Sequence, residues 1–144
     1  MSEPRFTLST CLFQDTRLDR EHLVHIAAHG FSGVELVAIR THFDYRNETT
    51  VGQLREWLSE IDLHLDAVHA PVFEAIRGRT GIGPYSLASS DDERRQTALT
   101  EALTALRLAR HLPFRQFIVH LGVPTKDDRE GTDNRRDAAR RSAE

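Results

Sequence analysis

The chain has 144 residues, of which 39% are hydrophobic and 28% are charged, so it is long enough and apolar enough for one globular domain with a core. Its formal net charge of −3 argues against a general binder of nucleic acids or anionic membranes, although a local basic patch would be hidden in that sum. Small molecules are therefore the expected partners, and nucleic acid is disfavoured.

Few features of the sequence bear on location. The only cysteine, Cys11, excludes an internal disulfide and is typical of a reducing compartment. The polar start MSEPR lacks the apolar core of a signal peptide, and no apolar run reaches the roughly 18 residues of a membrane span. We expect a cytoplasmic protein that does not contact the membrane.

The first part of the chain alternates short apolar runs with helical periodicity. A strand is expected in the run FTLSTCLF from Phe6, followed by a helix that Asp19 caps and Gly30 ends. The run GVELVA, residues 33–38, predicts the second strand. A capping box that begins at Thr50 predicts the second helix.

The same alternation continues to the end of the chain. The run LDAVHA, residues 65–70, predicts the third strand, and a long connection with the sequence EAIRGRTGIGPYSLAS follows it. A capping box that begins at Ser90 opens the longest helix, and the fourth strand lies in QFIVHLGVP, residues 116–124. The residues of the longest helix that we expect to point inward are Leu99, Ala102, Leu103, Leu106 and Ala109.

Four alternations of strand and helix predict an α/β fold with parallel strands. A closed barrel is favoured over a doubly wound sheet because every strand has a polar or small residue near its carboxyl end. In a barrel these ends converge on one mouth, whereas a doubly wound sheet concentrates its site at one switch point. The residues concerned are Ser9, Thr10, Glu35, His69 and His120.

The number of units predicts an incomplete barrel. A TIM barrel needs eight strand-helix units and about 250 residues, and this chain supplies about four units and the start of a fourth helix. We therefore expect residues 1–144 to be the N-terminal half of a barrel, cut within the fourth helix. Such a half exposes two strand edges and an inner face, so self-association is expected.

Two histidines at equivalent strand ends suggest a metal site. His69 and His120 each follow an apolar strand, and two neutral imidazoles at one mouth suit a divalent ion such as zinc or manganese. Either histidine taken alone is explained as well by a hydrogen bond to a neighbouring loop. Their recurrence favours metal ligation, although two ligands are too few for a complete site.

Four further residues are candidates for contact with a substrate. Glu35 lies within an apolar strand, where a carboxylate is paired with an arginine, bound to a metal or protonated. His42 follows the same strand on a loop, where it either reaches a substrate or is solvated. Arg77 and Arg79 lie in the glycine-rich stretch RGRTGIGP, which either holds a phosphate or carboxylate or forms a flexible lid.

Other conspicuous residues have simpler interpretations. His22, His25 and His29 recur at metal-ligand spacing, but barrel helices lie outside and away from the mouth, so a solvated helix face is expected. Cys11 has no catalytic base beside it in sequence and is expected to be a small buried residue.

The runs GVEL, VHAP and VHLG, in this order and at these strand ends, resemble the xylose isomerase-like TIM barrels. That superfamily joins sugar phosphate isomerases and epimerases with family 2 apurinic endonucleases, and the resemblance covers nearly the whole chain. It implies that His69 and His120 are metal ligands and that Glu35 is the second-strand glutamate of the pocket. The remaining ligands of the family come mainly from later strands, which this chain lacks.

The resemblance implies a sugar phosphate isomerase or epimerase that moves a proton on a sugar or polyol with the help of Mn²⁺, Zn²⁺ or Mg²⁺. The catalytic base is then expected in the absent half. One alternative is phosphodiester hydrolysis at abasic sites of DNA, as in the endonuclease branch. Another is a non-catalytic half-barrel that associates with a second half.

Overall fold

A computed structural model describes residues 6–78 and 80–120 of the chain. Four parallel strands form one sheet, and their order in space is their order along the chain. Helices connect these strands on one side, which confirms the predicted α/β class and the partial barrel. The strands of the sheet are β1 (Thr7–Ser9), β2 (Gly33–Val37), β3 (His64–His69) and β6 (Gln116–Ile118). Two further strands, β4 (Phe73–Arg77) and β5 (Thr80–Pro84), form a separate hairpin.

Side-chain caps fix where the helices begin. Asp19 caps the first helix as predicted, by accepting a hydrogen bond from the backbone N–H of His22 at 3.1 Å. The second and third helices begin at caps that differ from the predicted ones, because Asn47 and Asp91 are the residues whose side chains accept the first free N–H groups. The helices are α1 (Arg20–Ala28), α2 (Glu48–Ile61) and α3 (Asp92–Leu106), and two 3-10 turns span Thr10–Phe13 and Arg107–Arg110.

The main core lies between the sheet and its helices. Val34 and Leu36 of β2 and Val68 of β3 point toward the helices and are fully buried. Glu35 and Val37 alternate with them and therefore face the opposite side of the sheet, which is the interior of the barrel. The helical side chains that cover the outer face include Leu23, Ile26, Leu54 and Leu58.

The first strand is shorter than predicted. It ends at Ser9, and the chain turns at once into the 3-10 turn Thr10–Phe13. The Ser9 hydroxyl accepts a hydrogen bond from the Cys11 N–H, and the buried Thr10 hydroxyl accepts one from the Val37 N–H at 3.0 Å. These local bonds replace the ladder that a longer strand would form.

The longest helix buries a different face from the predicted one. Leu99, Leu103 and Leu106 are 41%, 46% and 39% exposed, whereas Glu101 is buried. Small residues on α3 are buried together with Glu101, and the Glu101 carboxylate accepts hydrogen bonds from Tyr45 and Arg46, which follow β2. The residues that α3 buries are Ala98, Glu101 and Ala105.

The long connection after β3 contains a hairpin that the sequence reading does not predict. Its antiparallel strands are β4 (Phe73–Arg77) and β5 (Thr80–Pro84). Gly81 makes this pairing possible, because a Cβ atom there would lie 2.5 Å from the ring of Phe73. Ile76 packs against Val37 and Ile39, so the hairpin covers the carboxyl end of β2.

Within the parts of the chain that the structure describes, no helix is long and apolar enough to cross a membrane.

Candidate functional site

The carboxyl ends of the parallel strands form one edge of the sheet, the barrel mouth. The strand register pairs Val37 of β2 with His69 of β3, and His69 with Ile118 of β6. His120 follows Ile118 by two residues and thus points to the same side. The two histidines predicted to share the mouth therefore stand on adjacent strands.

The structure brings the two imidazoles into direct contact. The Nε2 atom of His69 lies 3.1 Å from the Nε2 atom of His120. The ring centroids are 4.7 Å apart, and the ring planes cross at 72°. The edge of one ring thus faces the other, and the two Nε2 atoms are within hydrogen-bond distance of each other.

The backbone fixes the tautomer of His69. Its Nδ1 atom lies 2.9 Å from the carbonyl oxygen of Ala70. A carbonyl only accepts, so Nδ1 carries the proton in the neutral ring and Nε2 holds a lone pair. A backbone carbonyl bound to the second nitrogen is the usual way in which proteins orient a metal-binding histidine.

The spacing of the pair fits metal ligation. Two imidazole nitrogens bound to zinc at about 2.0–2.1 Å in tetrahedral geometry lie about 3.3 Å apart, close to the spacing seen here. Residues 6–78 and 80–120 contain no group of three or more histidine, cysteine, aspartate or glutamate side chains arranged to hold a metal. The described residues therefore contain no complete metal-ligand set, and metal ligation by His69 and His120 stays a prediction.

Glu35 lies below the histidine pair on the inner face of the sheet. It pairs in register with Ser9 and Ala67, two residues before the level of His69, which is about 7 Å along a strand. The Ser9 hydroxyl donates a hydrogen bond of 2.8 Å to the Glu35 carboxylate. No arginine forms an ion pair with Glu35 in the described segments. Its carboxylate lines a cavity of about 350 Å³ together with Asp66 and Arg115.

Cys11 is exposed at this mouth, so the expectation of a buried cysteine is wrong. The early turn after Ser9 carries the residue out of the sheet. Its thiol donates to the Gln14 side chain at 3.3 Å. Partial burial raises the pKa of the Cys11 thiol, and the negative charge of Glu35 raises it further.

Neutralising Glu35 is therefore expected to make Cys11 more reactive. The Glu35→Gln variant removes the nearby charge, which lowers the pKa of the thiol and increases its thiolate fraction, for a rate gain of roughly twofold. The measurement is the rate of alkylation by iodoacetamide near pH 8, which reports one site because Cys11 is the only cysteine. Glu56→Gln, on the exposed face of α2, is the matched control. Equal rates in wild type and Glu35→Gln would contradict the account.

His42 lies in the interior and not at the mouth. Its side chain is 0% exposed, and Nδ1 donates to the carbonyl oxygen of Thr16 at 2.7 Å. Its Nε2 has no hydrogen-bond partner among the described residues. The backbone carbonyl of His42 also accepts from the Leu18 N–H at 2.8 Å. As placed, the imidazole joins the loop after β2 to the segment before α1 and has no access to a substrate.

The arginines of the glycine-rich stretch are not part of the histidine pair. Arg77 is exposed at the end of β4, where it pairs across the hairpin with Thr80. Arg79 lies outside the described residues. The candidate phosphate contact by these two side chains stays a prediction.

The three histidines of the first helix have local roles. His22 completes the capping box of α1, and its ring lies 4.5 Å from that of Phe13. His29 places its Nδ1 atom 2.8 Å from the carbonyl oxygen of His25. His25 and His29 are exposed as expected, whereas His22 is only partly exposed.

The sequence does not predict one buried polar group, the carboxylate of Glu101. Glu101 of α3 is only 4% exposed, and it accepts a hydrogen bond of 2.5 Å from the Tyr45 hydroxyl. Its second oxygen accepts from the Arg46 guanidinium. The one available signal is a carboxylate at helical spacing between the small residues Ala98 and Ala105. Its partners lie more than 50 positions earlier in the chain.

Comparisons with known proteins agree with this architecture. The model of a family described as "Xylose isomerase-like TIM barrel" matches residues 23–144. The chain is similar to the crystal structure of a family 2 AP endonuclease from Brucella melitensis, with a TM-score of 0.52 and 21% identity. That similarity covers 97% of this chain and 51% of the other, so this chain spans about half the length of its structural neighbour. No curated protein matches the sequence.

Proposed function

Because the chain belongs to the xylose isomerase-like TIM barrel family, we propose that its histidine pair contributes two ligands to a divalent metal centre that acts on a sugar or polyol. The reaction we propose is isomerisation or epimerisation by proton transfer next to a carbonyl. The complete centre requires donors beyond the two histidines. Mn²⁺, Zn²⁺ and Mg²⁺ are the candidate ions.

The observation that carries this proposal is the contact between His69 and His120. Nδ1 of His69 donates to the carbonyl of Ala70, so its Nε2 accepts the hydrogen bond from the Nε2–H of His120 at 3.1 Å. A divalent ion that displaces this one proton would find both Nε2 atoms within ligand distance of each other. Imidazole nitrogens suit zinc, whereas manganese and magnesium are held mainly by oxygen ligands, so two imidazole ligands favour zinc among the three ions.

Other residues at the mouth have proposed roles in binding the substrate and excluding water. A bound divalent ion would polarise the carbonyl or hydroxyl of the substrate. Glu35, held by the Ser9 hydroxyl, is an acceptor for a hydroxyl group of a polyol lower in the barrel. Val37 and Ile76 supply an apolar wall that excludes water from one side of the mouth. The catalytic base stays unassigned, and we expect it outside this chain.

Replacing both histidines is expected to abolish the metal binding that they provide as a partial site. After dialysis, the wild-type protein should contain about one zinc or manganese ion per chain. His69→Ala/His120→Ala should bind the ion at least about 100-fold more weakly, because no other described side chains replace the lost imidazoles. Metal content of the dialysed protein measures the effect, with circular dichroism to verify folding.

His25→Ala/His29→Ala is the matched control, since it removes two histidines from the outer face of α1. That variant should bind metal like the wild type. Metal uptake that persists in His69→Ala/His120→Ala, or that falls equally in the control, would refute the assignment.

Phosphodiester hydrolysis at abasic sites remains the alternative. The structural neighbour is named as an AP endonuclease, but at 21% identity the similarity shows the fold alone. The acidic net charge of the chain gives this alternative no support.

Three accompanying expectations stay predictions. They are that residues 1–144 form half of a barrel, that the chain self-associates through the edges at β1 and β6, and that the protein is cytoplasmic. All three rest on the sequence. Within the described residues, β1 pairs only with β2, and β6 only with β3. These two edges are where another half would add its strands.

A further inference from the structure

A basic groove runs along the outer layer of the fold, between α2 and the end of α3. Its volume is about 500 Å³, which is within the range of sites for small molecules. Neither His69 nor His120 contributes to its walls, so it is separate from the mouth. Its charged lining residues are Arg46, Glu48, Arg55, Arg107, Arg110 and His111.

The charge of the groove is opposite to that of the whole chain. Four arginines and one glutamate give its lining a formal charge near +3 before His111 is counted, whereas the chain carries −3. Glu101 lies beneath the groove and neutralises one of the arginines, since its carboxylate bonds to Arg46. The sum over the groove therefore stays positive even with this buried carboxylate included.

Three of the arginines form no ion pair with a carboxylate in the described part of the chain. In residues 6–78 and 80–120, no ion pair is formed by Arg55, Arg107 or Arg110. All three are exposed to solvent at the groove. Guanidinium groups with free N–H donors on opposite walls of a cleft are suited to bind the oxygens of phosphate groups.

We infer that this groove binds a small anion that carries two or more phosphate groups. The several unpaired guanidiniums are too many for a single carboxylate ligand. The volume suits a small molecule, and the groove lies between two helices instead of along an extended face. This ligand class differs from that of the mouth, and the inference does not depend on the proposed metal centre.

Helix polarity explains only part of the cluster. Arg107 and Arg110 lie in the 3-10 turn that ends α3, where cations interact favourably with the free carbonyl groups. Arg55, however, lies in the middle of α2, where this effect is absent. Arg55 therefore places a guanidinium on the wall of the groove that faces Arg107 and Arg110.

The test is a calorimetric titration of the intact chain with sodium pyrophosphate in metal-free buffer of low ionic strength. We expect saturable binding that weakens at least about tenfold in Arg55→Gln/Arg107→Gln, because two charge-assisted contacts are lost. Arg17→Gln is the matched control, because Arg17 is exposed before α1 and outside the groove. It should bind like the wild type.

A second variant tests the site by a gain of affinity. Glu48→Gln removes the carboxylate that lines the groove and should bind pyrophosphate more tightly than the wild type does. Absence of binding by the folded wild type, or an equal loss of affinity in Arg17→Gln, would overturn the inference. Tighter binding of single-stranded DNA than of pyrophosphate by the same arginines would overturn it in favour of a nucleic-acid surface.

Discussion

Glu101→Ala is expected to lower the free energy of unfolding by about 2–4 kcal/mol, because the buried Tyr45 hydroxyl loses its acceptor and a cavity forms in place of the carboxylate. Burial raises the pKa of Tyr45 to about 12, so the hydroxyl keeps its proton and donates to Glu101 at neutral pH. Arg46 is partly exposed and can bond to water instead. Urea denaturation followed by circular dichroism measures the change.

Two variants show whether the loss belongs to this interaction. Glu101→Gln keeps an acceptor for Tyr45 and should cost less than Glu101→Ala. Gln96→Ala, on the exposed face of the same helix, should stay within about 0.5 kcal/mol of the wild type. If Glu101→Ala is as stable as the wild type, the carboxylate does not anchor α3 to the segment after β2.

Acidification below about pH 6.5 is expected to destabilise the protein through His42. Burial lowers the pKa of His42, an effect that the hydrogen bond to the Thr16 carbonyl opposes and the nearby His22 reinforces. The unfolded chain therefore takes up a proton at a higher pH than the folded chain. Stability from this residue is complete above the unfolded pKa of 6.5 and declines as the pH falls toward the folded pKa, by up to about 1.4 kcal/mol for each pH unit.

The measurement is the free energy of unfolding at several pH values between 5 and 8. His42→Gln should reduce the pH dependence, whatever its own effect on stability at neutral pH. His111→Gln, which alters an exposed histidine, should keep the wild-type dependence. An unchanged pH dependence in His42→Gln would show that another group is responsible.

The parallel sheet and the histidine pair can be predicted because their signals are local. Each strand is a short apolar run, and the period of two residues places His69 and His120 on the inner face at strand ends. Parallel pairing then brings equivalent ends together without any knowledge of the tertiary contacts. The cap at Asp19 is local in the same sense.

What the sequence does not predict depends on contacts between distant residues. The hairpin has little alternating hydrophobicity, and its position depends on the packing of Ile76 against the end of β2. The leucine stripe of α3 resembles a buried face, but Glu101 binds Tyr45 from 56 positions away and turns that stripe outward. The sequence around His42 is that of a loop, and its burial depends on the hydrogen bond to the carbonyl of Thr16, 26 positions earlier.

Three leucines of α3, Leu99, Leu103 and Leu106, form an exposed stripe along the helix. In a barrel, each helix packs against the helices on both of its sides, and α3 follows the third of the four parallel strands. Leu99, Leu103 and Leu106 thus lie where a neighbouring element would bury them.

X-ray absorption spectroscopy of the zinc-loaded chain tests the central claim most directly, because it counts the imidazole ligands of the metal. The account predicts a first shell with nitrogen near 2.0–2.1 Å and the outer-shell scattering of about two imidazole rings, which disappears in His69→Ala/His120→Ala. Zinc that is bound without imidazole scattering, or imidazole scattering that persists in the double variant, would show that these two histidines do not form the metal centre.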